Sequence, residues 1–164
     1  YKSILSKCSD KKLISLNKTS IENTAFIHIR DYSLVNVPTD NLNLEYYING
    51  INYLNNKKIN KFVLISSKKS YLTKIVGDYL KERNINFISR INENVYDDFI
   101  LMANAKFLII ANSSLSSAAA LLSYKLNERE EDKSIVIYPN LKIEGEFSYW
   151  DPSFMRLDGW KGIK

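Results

Sequence analysis

The sequence predicts an α/β fold: a mainly parallel sheet with helices on both faces. Two observations carry that expectation. Short apolar runs, each of strand length and bounded by polar residues, recur at 25–29, 62–65, 85–88, 107–111 and 134–138. Between them lie segments whose apolar residues repeat at helical spacing. A strand followed by a helix and then another strand gives right-handed βαβ units, and such units build a parallel sheet.

Residues 1–24 are polar around Ile4, Leu5, Leu13, Ile14 and Leu16, and read as a connecting segment. Residues 25–29 (Ala-Phe-Ile-His-Ile) are the first strand, ending at Arg30. A loop with Pro38 follows. Asp40 or Asn43 is placed to cap a helix carrying Leu44, Tyr47, Ile48, Ile51 and Leu54. Residues 62–65 are a second buried strand, followed by Ser66 and Ser67. Tyr71, Leu72, Ile75, Val76, Tyr79 and Leu80 mark an amphipathic helix. Residues 85–88 are a third strand, and 96–103 a short helix. The run 107–111 is a strand that stops at Asn112-Ser113-Ser114, all good cap residues, before an Ala- and Leu-rich helix. A charged loop (127–133) leads to the strand 134–138, stopped by Pro139. The tail, with Trp150, Asp151-Pro152 and Trp160, is expected to form loops and a last helix crossing back. The whole reads as a Rossmann-like domain over 25–164, with no internal repeat.

Composition narrows the function classes. The 164 residues suffice for one domain with a real core. One cysteine, Cys8, and one histidine, His28, exclude an internal disulfide and a Cys/His metal site. No apolar run reaches membrane-spanning length. The formal charge of +5 favours an anionic ligand such as a nucleotide, or an anionic membrane surface. The basic residues are scattered and form no aromatic-basic stripe, so nucleic-acid binding ranks last. The first residue is Tyr1, so the chain reads as a piece of a longer one.

In open parallel sheets ligands bind beyond the carboxyl ends of strands. His28, Arg30, Ser66, Ser67, Asn112 and Ser113 all fall at or just past such ends. At the 112–114 turn a helix begins at once, so unpaired amides and the positive end of its dipole face the strand's end, a setting that suits phosphate. Its plainer reading is a well-capped helix packed on the sheet. His28 and Arg30 lie two apart on one strand and share a face. Arg30 offers a planar fork of donors for a diphosphate, or pairs with Asp31. His28 serves as a base or as a hydrogen-bonded core residue. Asp97 and Asp98 are adjacent and point apart: one caps or solvates its helix, and the other reaches toward the cleft. No Gly-Lys-Ser/Thr phosphate loop, Gly-x-Gly-x-x-Gly turn or Gly-x-Ser-x-Gly elbow occurs.

Several segments in order resemble one family. They are 26–32 (Phe-Ile-His-Ile-Arg-Asp-Tyr), Tyr46-Tyr47 on a helix, 98–102 (Asp-Phe-Ile-Leu-Met), 109–116 (Ile-Ile-Ala-Asn-Ser-Ser-Leu-Ser), and the apolar strand ending at Pro139. Their order and spacing, from about 25 to 140, resemble the donor-binding C-terminal half of the α-1,2-fucosyltransferases, glycosyltransferase family eleven. That resemblance implies the C-terminal domain of a GT-B enzyme, which takes GDP-fucose as donor. It implies transfer of L-fucose to a glycan hydroxyl with inversion, without metal or cofactor. It carries the donor diphosphate to Arg30, with His28 beside it, and nucleotide contacts to Asn112, Ser113, Ser114 and Asp98. It also implies an acceptor-binding domain before Tyr1, and a place in the cytoplasm or at the periphery of a membrane. This chain lacks two residues of the family's first motif, including its Gly, between Arg30 and Asp31. Ser117 and Ala118 stand where the family has an aromatic pair, and Ser67-Lys68-Lys69 where it has an acidic pair. These departures define the alternative expectation: a Rossmann-like module that binds a nucleotide and transfers nothing.

Overall fold

The computed structural model describes residues 23–31, 42–127, 134–140 and 157–164. The strands are β1 (Thr24–Ile29), β2 (Lys61–Ser66), β3 (Asn86–Ile91), β4 (Phe107–Ile109), β5 (Ile135–Pro139) and β6 (Trp160–Ile163). The helices are α1 (Leu44–Asn56), α2 (Tyr71–Glu82), α3 (Val95–Asn104) and α4 (Ser114–Asn127). All six strands form one sheet in the order β3-β2-β1-β4-β5-β6, and every neighbouring pair is parallel. This is the Rossmann-like α/β architecture that the alternation of elements predicts. The chain runs outward from β1 to β3, returns beside β1 as β4, and runs outward the other way. The reversal between β1 and β4 is the topological switch point, where such sheets bind ligands.

Burial follows from the pattern. β1 is buried along its whole length, as a central parallel strand covered on both faces must be. Alternate residues split between two cores. Ala25, Ile27 and Ile29 of β1, with Leu64 of β2 and Ile109 of β4, pack under α1 and α2 through Tyr46, Ile51, Leu54, Val76 and Leu80. Phe26, Val63, Leu108 and Val136 pack on the opposite side against Leu101 and Met102 of α3 and Ala119 and Ala120 of α4.

The caps come from the residue types the sequence offers. Asn43 accepts from the Tyr46 amide at 2.9 Å. Ser70 and Thr73 form a reciprocal capping box on α2. Asn94 accepts from the Tyr96 amide at 2.8 Å. Gly50 lets α1 approach the sheet, because a Cβ there would stand 3.0 Å from Ile109 Cδ1.

Three elements differ from expectation. β3 runs on to Ile91, because it is an edge strand whose Ser89 and Arg90 interrupt the apolar run. β4 closes at Ile109, although Ile110 N–H still donates to the Ile137 carbonyl at 3.0 Å. Trp160, expected among loops and a helix, opens strand β6 beside β5. That strand contains Gly162 and has no continuous apolar run, so its sequence carries no strand signal. Residues 1–22, the loop with Pro38, the charged run 128–133 and the tail 141–156 lie outside the described residues. Among the described residues no helix is long and apolar enough to cross a membrane.

Candidate functional site

The switch point brings together the ends of β1 and β4. Their last paired residues are Ile27 and Ile109. Arg30 and Asn112 each lie three residues beyond that pair in sequence, just past the ends of their strands. Phe26 belongs to the core under α3 and α4, and so do Leu108 and Ile110. Alternation carried past the strand ends therefore assigns His28, Arg30 and Asn112 to that same side. Arg30 is half-buried, and Asn112 and Ser113 are buried.

His28 is buried, and its Nδ1 has no hydrogen-bond partner. Burial first, and then the positive charge of Arg30, lower its pKa to about 4. His28 is thus neutral at physiological pH and a weak base.

The turn after β4 is held by its own serines. Ser113 N–H donates to the Ala111 carbonyl at 2.8 Å, and Ser117 N–H to the Ser113 carbonyl at 3.0 Å. Ser116 Oγ donates to the Ala111 carbonyl at 3.2 Å, and Ser117 Oγ to the Ser113 carbonyl at 2.9 Å. These hydroxyls are engaged by main-chain acceptors behind the turn. Asn43, Ser70 and Asn94 cap the other three helices with their side chains. The first-turn amides of α4 and the positive end of its dipole lie at the helix start, just past the end of β4.

Two adjacent tyrosines of α1 fix the strand ends from the opposite face. Tyr46 hydroxyl donates to the Ile110 carbonyl at 2.6 Å and approaches the Ile137 carbonyl at 3.1 Å. Tyr47 hydroxyl reaches the His28 carbonyl at 3.5 Å. The Tyr46 hydroxyl is fully buried, and burial pushes its pKa well above the usual tyrosine range, so it stays a donor. The sequence marks these residues as a pair on a helix. Their role in tying β1, β4 and β5 depends on long-range packing that no local pattern encodes.

Asp98 stands apart from this group. Arg90 Nε–H of β3 donates to its Oδ1 at 3.0 Å, with both side chains buried. β3 is two strands from β1 in the sheet. Burial raises the Asp98 pKa, opposed by the hydrogen bond and charge of Arg90. Arg90 thus ties Asp98, in the first turn of α3, to the β3 edge. Asp97 is buried as well, so neither carboxylate is the solvated one expected. Arg90 was not singled out by the sequence; the only signal available was a charge inside an otherwise apolar strand.

Ser66 Oγ, at the end of β2, donates to the Lys68 carbonyl at 3.0 Å, closing its own turn. Among the described residues no group of three or more His, Cys, Asp and Glu side chains could hold a metal ion. A concavity of about 860 Å³ lies elsewhere, between α2 and β3. We place the candidate site at the switch point, because Arg30, the start of α4 and the buried His28 all lie at the ends of the two strands that meet there. Comparison of the chain with protein-family models, curated proteins and solved structures found no match in any of the three.

Proposed function

We propose that this domain binds a nucleotide diphosphate sugar at the switch point and serves a glycosyltransferase, with GDP-fucose as the donor. The observation that carries the reading is the placement of Arg30 and Asn112 just past the ends of β1 and β4, the two neighbouring strands of the reversal. Arg30 would grip the diphosphate through its guanidinium fork. The first-turn amides of α4 would supply further donors, with Asn112, Ser113 and Ser114 lining the nucleotide's path.

In the transfer, an acceptor hydroxyl oxygen forms a bond to the anomeric carbon of fucose from the face opposite the diphosphate. The bond from that carbon to the diphosphate oxygen breaks, and GDP leaves with the electron pair. Arg30 and the α4 amides stabilise the charge that grows on the leaving oxygens. The acceptor's proton goes to a base on the acceptor side. His28, neutral and weakly basic, belongs beside the donor rather than in that role. Asp98 acts through Arg90 on the position of α3. The glycan acceptor would be held by a second domain of a longer chain, in the cytoplasm or at the periphery of a membrane, and the family likeness implies a metal-independent reaction.

A second reading keeps the nucleotide and drops the transfer. It is favoured by Ser117, which stands in place of an aromatic residue and spends its hydroxyl on the Ser113 carbonyl.

Calorimetric titration with GDP and GDP-fucose, together with product analysis in the longer chain, tests both. Arg30→Ala should weaken donor binding or turnover about a hundredfold, the loss expected for one preorganised donor. Unchanged donor binding and kinetics in that variant would remove Arg30 from the site. GDP binding without fucosylated product would leave the second reading.

A further inference from the structure

Among the described residues β3 is an edge strand, paired on one side only, and this edge is built differently from the switch point. Edge strands leave a row of main-chain donors and acceptors unpaired, and proteins usually guard them with charge, proline or bulges. Asn86, Phe87, Ile88 and Ser89 of β3 carry no charge, and Arg90 turns inward to Asp98. Ile88 is 55% exposed on the α3 side of the sheet. On the other side, Phe87, Ser89 and Ile91 line the groove of about 860 Å³ beneath α2.

The groove has an apolar floor and a basic rim. Leu64, Phe87 and Gly77 form the floor, and Lys69, Lys74 and Lys81 the rim. Lys74 and Lys81 lie on one stripe of α2, with Asp78 between them at 2.6 and 4.0 Å. A Cβ at Gly77 would make only ordinary contact with Phe87, at 3.7 Å. Alanine would fit there and would favour the helix, so the glycine keeps the floor open rather than relieving a clash.

We propose that β3 accepts an extended, acidic segment of a partner protein as an added strand. Its main chain would pair with the β3 edge. Its alternate side chains would fall on the two faces of the sheet. Those on one face would enter the groove beside Phe87 and offer carboxylates to Lys69, Lys74 and Lys81. Those on the other would cover Ile88. A second copy of this chain is disfavoured as occupant, because pairing two β3 edges would bring two lysine stripes together. A nucleic acid could meet the lysines but not the ladder of main-chain groups.

The test uses the full 164-residue chain and synthetic peptides of about six residues, the length of a typical strand. The peptides alternate valine with glutamate, with lysine or with serine. Fluorescence anisotropy should show binding for the glutamate series and at least about tenfold weaker binding for the other two. The double variant Lys69→Glu, Lys81→Glu lies on exposed side chains and should reverse that preference while thermal unfolding stays unchanged. Amide exchange in β3 should slow on adding the glutamate peptide. No binding, equal binding of all three series, or binding that ignores the double variant would overturn the proposal. So would preferential binding of an oligonucleotide, or self-association abolished by Ile88→Lys, which would give the edge to those occupants instead.

Discussion

Two glycines on α1 and α2, over the same face of the sheet, separate the molecule into a closed centre and an open edge. At Gly50 a side chain would press on Ile109 at 3.0 Å and on Ile137 at 3.3 Å. At Gly77 it would touch only Phe87, at 3.7 Å. The first glycine exists because α1 lies close over β4 and β5, which lets Tyr46 reach the carbonyls of Ile110 and Ile137. The second borders a groove. Close packing thus surrounds the strand ends of the switch point, whereas β3 is paired on one side with β2 and joined to α3 by one buried ion pair. The lesson is that the groove and the candidate site are different places: open volume follows loose packing, and fixed strand ends follow tight packing.

The comparison can be broken first at the ion pair. Arg90→Ala leaves the Asp98 carboxyl buried without its cation, and should cost roughly 3 kcal/mol of unfolding free energy. Urea unfolding of the variant checks this, and a loss below about 1 kcal/mol would show that the edge is held by something else.

The centre is probed by acid. The folded pKa of His28, about 4, is depressed from the ordinary 6.5. The unfolded chain therefore binds the proton more readily. Stability is fully present above the unfolded value and falls as pH drops from about 6.5 toward 4, by roughly 3 kcal/mol in all. Asp98, whose pKa is raised, has the opposite sign: its contribution is present at low pH and is lost as pH rises. The difference between the protein and His28→Leu, followed over this pH window, isolates the histidine. Parallel stability curves for the two would contradict its burial as a neutral group.

The smallest effect is the most diagnostic, because its sign differs between the two regions. Gly77→Ala should stabilise by about 1 kcal/mol, through helix propensity and reduced freedom of the unfolded chain. Gly50→Ala gains the same propensity but overpacks Ile109, and should come out destabilising by about 1 kcal/mol. Thermal unfolding of both variants reads the signs, and equal signs would erase the distinction between centre and edge.

Much of the centre was legible in the sequence. β1, β2 and β4 are continuous apolar runs, as doubly covered parallel strands must be, and Asn43 announced the start of α1. The edges were less legible. β3 mixes apolar and polar residues because one side is half open, and its true end at Ile91 is marked only by Asn92, whose φ of 63° suits asparagine. β6 has no apolar run to find, and it owes its pairing to β5 rather than to local preference. Within the candidate site, residue type and position pointed to His28, Arg30 and the 112–114 turn, since chemistry at strand ends follows from topology. The reach of Tyr46 joins residues distant in sequence, and the link of Asp98 to Arg90 bridges a strand and the next helix; spacing along a helix encodes neither.

The central claim is an anion site formed by Arg30 and the start of α4. Amide chemical shifts of the isotopically labelled chain, followed while GDP is added, test it most directly. The account predicts that the largest shifts fall on Arg30 and on residues 112–116, and that they disappear in Arg30→Ala. Shifts centred on residues 69–81 and 86–91, or none at saturating GDP, would contradict it.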